Sequence, residues 1–345
     1  MTPRGTDWSL ALLVAAGVGS GLATWFAGAP GGAWVYGAHA VAGLSLAVVL
    51  VVKLRRVLPR VAAASVAALG LVLLVLVSGF VWSSAGAAYL AGYSVLAWHA
   101  ALGGALAAVV LAHAVARARR PRRRDLASRR QLLVAGAVAA GALVAWQVQR
   151  PLQRALGLPG AGRRFTGSYD AGSYTGNDFP VTSWVADDPR PAAAPMAVAG
   201  RVRRGLTLGA GALDRGDELT ATLDCTGGFS STQRWQGVRL GRLLDDAGVE
   251  PGAAHVRVIS RTGYRWSFGL EHARGLLLAT RVGGEPLSHG HGAPCRLVAP
   301  GRRGFQWVKW VERIEVHDDP DPGALPSTVL SSLSAAGRGR RTGRR

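Results

Sequence analysis

The sequence predicts two unlike parts: an all-α transmembrane bundle of about five helices, followed by an α+β, strand-rich domain suited to water. Three observations predict this. Residues 8–52 and 61–115 contain no Asp, Glu, Lys or Arg, which is more contiguous apolar sequence than a water-soluble domain can bury. From Arg150 onward, charges, Gly turns and short β-branched runs alternate as in an ordinary globular domain. At 345 residues the chain is long enough for both.

Taken in order, the first part (1–150) holds spanning helices at residues 10–26, 33–52, 61–82, 89–114 and, shorter, 132–148. Gly and Ala dominate them, as close helix packing in lipid favours. The loops at 27–32 and 83–88 are uncharged, whereas those after Val52 and Ala116 carry about four and about eight basic residues. Because Lys and Arg mark cytoplasmic loops, the amino terminus is expected in the cytoplasm and everything beyond the fifth helix outside it. The chain is then a multi-pass protein of the cytoplasmic (inner) cell membrane with an extracytoplasmic second domain.

A formal net charge of +20 would suit nucleic acid if it lay on one face. Much of the excess instead sits in two runs, 53–60 and 117–130, and in the terminal Gly-Arg tail. The expected partner is therefore the lipid membrane, not nucleic acid. Ser128-Arg129-Arg130-Gln131-Leu132-Leu133 has the pattern of a twin-arginine export signal set inside the chain, or of a plain basic flank.

Residues 151–177, rich in Gly, Pro and Ser, suggest a mobile linker, 178–318 the second domain and 319–345 a disordered basic tail. Within the domain, β-like runs at 218–223, 255–260, 296–298 and 307–316 alternate with Gly turns, and 240–247 is an amphipathic helix. Cys225 and Cys295 are the only cysteines, which excludes a disulfide-rich scaffold and leaves one bridge open.

Two blocks carry chemistry. The first is Thr222-Leu223-Asp224-Cys225-Thr226-Gly227-Gly228 with Trp235-Gln236-Gly237-Val238. The second is Gly284-Glu285-Pro286-Leu287, His291-Gly292-Ala293-Pro294-Cys295-Arg296 and Trp307-Val308-Lys309-Trp310. A soft thiolate at a strand end followed by two glycines suits a metal with a bulky group attached, because glycine lets the backbone come close.

In order and spacing, these blocks resemble the molybdopterin-binding domain of the sulfite oxidase family, over about two fifths of the chain. The resemblance implies a molybdenum-molybdopterin cofactor with Cys225 as the protein's ligand to the metal. It implies Gly227, Gly228, His291, Arg296 and Lys309 around the pterin and its phosphate, with His289 a weaker candidate. Tyr264 would be a catalytic phenol beside the metal's oxygen. Cys295 stands where the family has an apolar residue and is read as packing; a Cys225–Cys295 disulfide is the competing reading and excludes a thiolate ligand. The family holds sulfite with arginines that follow the cysteine, but residues 226–232 contain no basic residue, which speaks against sulfite. Arg234, Arg261 and Arg265 are other sources of charge.

Histidines cost free energy in hydrocarbon, so His39, His99 and His113 require a reason. Under the topology above, His39 and His99 lie at comparable depth in the outer leaflet. The anchor resembles b-type cytochrome membrane domains, which implies that both ligate the iron of one haem b. His113 lies about 21 Å from His99 at about 1.5 Å per residue and cannot share that iron. The plain alternative is three histidines bonded to neighbouring Ser, Thr or carbonyl groups.

The expected protein is thus a membrane-anchored molybdenum oxidoreductase performing two-electron oxygen-atom transfer on a small extracytoplasmic substrate. It would exchange electrons with the quinone pool or a redox partner protein by way of the haem. The alternatives are a noncatalytic, metal-free binding module, or a membrane cytochrome-like electron carrier with a structural soluble domain.

Overall fold

The computed structural model describes residues 2–57, 63–117, 129–181 and 195–339, and it divides into two compact units, Met1–Tyr169 and Asp170–Arg345. The rest of the basic runs, including Ser128 of the export-like segment, lies outside the described residues.

Each expected apolar segment of the first unit contains a helix: α1 (Pro3–Thr24), α2 (Ala33–Val57), α3 (Ala63–Ser84), α4 (Val95–Arg117) and α5 (Arg129–Ala155). Several ends run past the apolar stretch because polar flanks satisfy helix termini. Thr2 caps α1 by accepting from the Gly5 N–H at 3.0 Å, and Arg55 and Arg56 sit in the last turn of α2, where cations suit exposed carbonyls. The fourth segment differs from expectation. Tyr89–Leu90 (β1) and Tyr93–Ser94 (β2) form a hairpin, since Ala91 and Gly92 take φ of 50° and 79°, and the helix starts only at Val95.

Among the described residues, four helices are long and apolar enough to cross a membrane, and Ala68–Ser84 is a shorter apolar helix. Val14, Leu46 and Leu106 pack between α1, α2 and α4, while Leu74, Phe80, Leu111 and Leu133 face outward. An exterior this apolar is the inverse of a water-soluble bundle.

The stretch after α5, expected to be a mobile linker, is built in its first part. Buried Arg163 donates to the carbonyls of Gly167 (2.7 Å), Ala85 (3.0 Å) and Gly86 (2.9 Å) and lies 4.2 Å over the Trp82 ring. One cation with three acceptors and an aromatic face holds a Gly- and Pro-rich segment in one conformation.

The second unit carries two sheets. In one, β5 (Asp217–Asp224) pairs with β6 (Phe229–Arg239), and β6 with β9 (Leu277–Val282); β9 also pairs with β10 (Glu285–Pro286) and β11 (Arg296–Val298). All are antiparallel. The other has the order β4 (Leu206–Leu208), β3 (Met196–Gly200), β12 (Val311–His317), β7 (His255–Ser260), β8 (Arg265–Gly269), with only β3 and β12 parallel. Alternation shows in β7, where Val256, Val258 and Ser260 turn inward. In α6 (Leu240–Ala247), Leu240, Leu243, Leu244 and Ala247 make one buried stripe, with Arg242, Asp245 and Asp246 on the other side. The short helix α7 (Leu270–Arg274) links β8 to β9.

Three sequence expectations need correction here. Residues 307–310 are not strand: Trp310 takes φ 51°, which breaks the ladder until Val311. The unit starts earlier than Asp178, because the Ala171 and Tyr174 N–H groups donate to Ser230 O and Thr232 O, both at 2.8 Å. The stretch from Asp319, expected to be disordered, contains helix α8 (Ala324–Gly339), whose first turns are anchored by Asp321, Ser327 and Thr328.

Candidate active site

Cys225 begins the loop that joins β5 to β6. Its N–H donates to Phe229 O at 2.8 Å, and the Gly228 N–H donates back to Cys225 O at 3.0 Å. Gly228 takes φ 99°, open to glycine alone at little cost, so the second glycine of the motif is a requirement of the turn. The Gly227 N–H donates to the thiol sulfur at 3.2 Å. Gly227 and Gly228 thus shape the loop that carries the thiol and are not themselves part of the pocket lining.

Behind the loop stands Arg303, which the sequence reading missed. Its guanidinium donates to Asp224 Oδ1 at 2.5 Å and to Cys225 O at 3.1 Å, and both charged side chains are almost wholly buried. The fork ties the Asp224 carboxylate and the Cys225 carbonyl to one guanidinium behind the loop. The signal was weak: Arg303 follows Gly301 and Arg302 in what reads as a surface turn.

The thiol opens on a pocket walled by Phe179, Phe229, Tyr264, His291, Arg296 and Lys309, with Phe305, Trp307 and Trp310 completing it. Arg296 is the least ordinary of these. It is 2% exposed, its Nη1 donates to His291 O at 3.1 Å, and its Nε has no partner in the protein. The guanidinium carbon lies 5.3 Å from the Trp235 ring and 5.9 Å from Trp307. Burial brings its pKa down to about 10. Lys309 donates to Gly290 O at 2.7 Å.

His291 keeps both nitrogens occupied. A carbonyl can only accept, so Nε2 donates to Phe179 O at 2.9 Å, which leaves Nδ1 to accept from Ser288 Oγ at 2.8 Å. Burial first, then Arg296, lowers its pKa to about 4, so the ring is neutral and contributes a wall against Phe179, with ring centroids 3.9 Å apart and planes tilted by 42°. Burial also pushes the Tyr264 phenol up to about 12 and the Cys225 thiol above its ordinary value. Tyr264 donates to Phe305 O.

Cys225 and Cys295 are both free thiols, so the competing disulfide is not present. Cys295 is fully buried, its thiol raised to about 12 by burial, and it packs as expected of an apolar position. Several sequence candidates do not line the pocket: Arg234, Arg261, Arg265 and His289. Arg265 instead pairs with Asp321 at 2.6 Å, and the His289 carbonyl accepts from the Trp310 indole at 2.9 Å. Aromatic lining residues such as Phe179 and Phe229 were missed because apolar residues near a turn carry no sequence mark of their own.

In the first unit, His39 and His99 lie with ring centroids 5.9 Å apart, at 85° to one another. Gly17 O is 2.9 Å from His39 Nδ1 and Val75 O is 3.0 Å from His99 Nδ1, so both Nδ1 atoms donate and both Nε2 atoms keep their lone pairs. Gly21 and Gly79 make room for the two rings, and Ser20 and Ser78 sit beside them. Gly17, Ser20 and Gly21 of α1 recur as Val75, Ser78 and Gly79 of α3 with the same spacing.

The family model for the oxidoreductase molybdopterin binding domain matches residues 187–325. The protein-methionine-sulfoxide reductase catalytic subunit MsrP of Gluconobacter oxydans (strain 621H) is 29% identical over 228 residues, covering 58% of this chain and 72% of its own. The mitochondrial sulfite oxidase of Macaca fascicularis is 32% identical over 133 residues, 30% of this chain and 24% of its own. The NAD(P)H nitrate reductase of Hordeum vulgare is 34% identical over 131 residues, 32% of this chain and 15% of its own. The chain therefore spans less than a quarter of the latter two.

Proposed function

We propose, from the premise that residues 187–325 belong to the sulfite oxidase-type molybdopterin oxidoreductase family, that this chain is a membrane-anchored enzyme reducing small sulfoxides outside the cytoplasm. The observation that carries the reading is the free, buried Cys225 thiol opening on a pocket with Arg296 and Lys309 in its wall. The pocket fits an anionic pterin. A buried guanidinium with an unpartnered Nε is costly alone and is stabilised by an incoming anionic oxygen. Cys225 would hold the molybdenum, and Arg296 and Lys309 would hold the pterin's anionic part. When bound, the cofactor supplies the two-electron oxygen-atom chemistry.

The residues of the chain do the rest. Arg303 and the Gly227 N–H fix where the sulfur points. Tyr264, with its proton held to about pH 12, keeps a donor available for the oxygen that leaves sulfur. Reduction of a sulfoxide takes two electrons and two protons and yields a thioether and water. A neutral sulfoxide suits this site better than sulfite: residues 226–232 offer no cation, and the other arginines considered for that task do not line the pocket.

In the first unit, His39 and His99 would hold the iron of one haem b. Their free Nε2 lone pairs and the closeness of the two rings, with centroids 5.9 Å apart, support this. Such a group would supply single-electron chemistry, with the quinone pool or a redox partner as the proposed source of electrons. The aromatic residues Trp25, Trp34, Tyr89, Tyr93 and Trp98, near the uncharged loops, support an interfacial belt on the outer side. Elemental analysis of the purified chain with its optical spectrum tests the reading: about one molybdenum and one b-type haem per chain are expected, and a chain without molybdenum is a binding module instead. A reporter joined after Val316 that works only in the cytoplasm would refute the topology.

A further inference from the structure

Tyr264 is held by more than the pocket. Its hydroxyl donates to Phe305 O and lies 3.4 Å from the buried Thr328 hydroxyl, which comes from the second turn of α8. The approach to that helix is fastened to the residue next to Tyr264 by several independent bonds. Asp321, with a side chain only 4% exposed, accepts from Arg265 Nε at 2.6 Å and from the Gly323 N–H at 2.8 Å, and Arg257 stands 4.0 Å away. Ser327 donates to Arg265 O at 3.1 Å. A Cβ on Gly323 would stand 2.0 Å from Arg265 Nη2, so a side chain there would have to displace that guanidinium.

We propose that residues 321–328 form a latch that sets the hydrogen bonding of the Tyr264 phenol, with Thr328 as the positioning residue. This rests on the function proposed above, in which Tyr264 donates to the oxygen of the substrate. The phenol has one proton, and at rest Phe305 O takes it. To serve a ligand in the pocket the phenol must give up that carbonyl. Thr328 has one proton, and its acceptors include the Tyr264 oxygen and Ala324 O at 3.2 Å. Donation to the phenol oxygen favours negative charge there, so it makes Tyr264 the stronger donor when its proton is needed.

The test uses the full chain in detergent. Thr328→Val and Thr328→Ser are made in the wild type and in Tyr264→Phe, and kcat and KM are measured with dimethyl sulfoxide and a reduced viologen dye. Thermal midpoint and molybdenum content are measured alongside. Thr328→Val is expected to lower kcat about tenfold, the worth of one hydrogen bond, with KM unchanged, no further loss in Tyr264→Phe, and recovery in Thr328→Ser. Equal losses in both backgrounds would overturn the proposal, since a merely structural role acts without the phenol. A second readout needs no turnover: the tyrosine doublet in ultraviolet resonance Raman, taken as the difference from Tyr264→Phe, reports whether the phenol accepts as well as donates. Thr328→Val should move it toward donor only, and an unmoved doublet sinks the latch. A moved doublet in a chain that never reduces the sulfoxide upholds the latch and refutes the assigned function.

Discussion

Replacing Arg303 with Met tests how the cysteine loop is held. The guanidinium and the Asp224 carboxylate are 5% and 2% exposed and 2.5 Å apart, so removing the cation leaves an anion buried without its counter-charge. Breaking such a pair costs about 3–5 kcal/mol, which for a domain of this size is roughly 6–20 °C in thermal midpoint. The loss of the bond to Cys225 O also frees the loop, so molybdenum retention should fall by about 10- to 100-fold, as for other groups that orient a metal ligand. The assay is thermal unfolding of the detergent-solubilised chain, followed by tryptophan fluorescence, with molybdenum measured on the same samples. Arg303→Met combined with Asp224→Leu should regain most of the lost stability, because no charge is then stranded, but not the metal. A single variant that melts within about 2 °C of the wild type would refute the reasoning.

Four further outcomes follow from the same structure. Cys225→Ser should abolish molybdenum binding and lower turnover at least about 100-fold, whereas Cys295→Ala should cost about 1–2 kcal/mol of packing and leave the metal content unchanged. His291 is neutral in the fold with a pKa of about 4 against an ordinary 6.5, so only the unfolded chain gains a proton as pH falls through 6.5. Its stabilisation is complete above that value, declines toward pH 4 by at most about 3 kcal/mol, and should disappear from the pH profile of unfolding in His291→Gln. Arg296→Met should leave the cofactor-free protein as stable or more so, because a buried cation has been removed, while cofactor retention collapses; equal retention would refute the cradle. His39→Ala or His99→Ala alone should each remove the haem absorption band, and a band surviving both would dismiss the bis-histidine reading.

The helices of the first unit were legible because long apolar runs without charge favour helix, and β7 was legible residue for residue because Val256 and Val258 alternate with polar neighbours. The hairpin at 89–94 was not, since Ala91 and Gly92 sit inside a run that still reads as apolar. Helix α8 was hidden by its composition. Its ordering comes from Asp321 meeting Arg265, a partner 56 residues away in the chain, and no local pattern carries that information.

By itself the sequence determined which stretches are long and apolar enough to cross a membrane, that one thiol and two glycines follow a strand, and which blocks resemble a molybdopterin-binding domain. These are properties of composition and of short-range spacing. Only the tertiary structure decided that Cys225 is free of Cys295, that Arg303 grips the loop from behind, that Arg296 is buried with an unpartnered nitrogen while Arg265 is turned away to Asp321, and that both nitrogens of His291 are already engaged. The physical reason is that the role of an ionisable side chain depends on burial and on partners distant in sequence, and both exist only once the chain has folded.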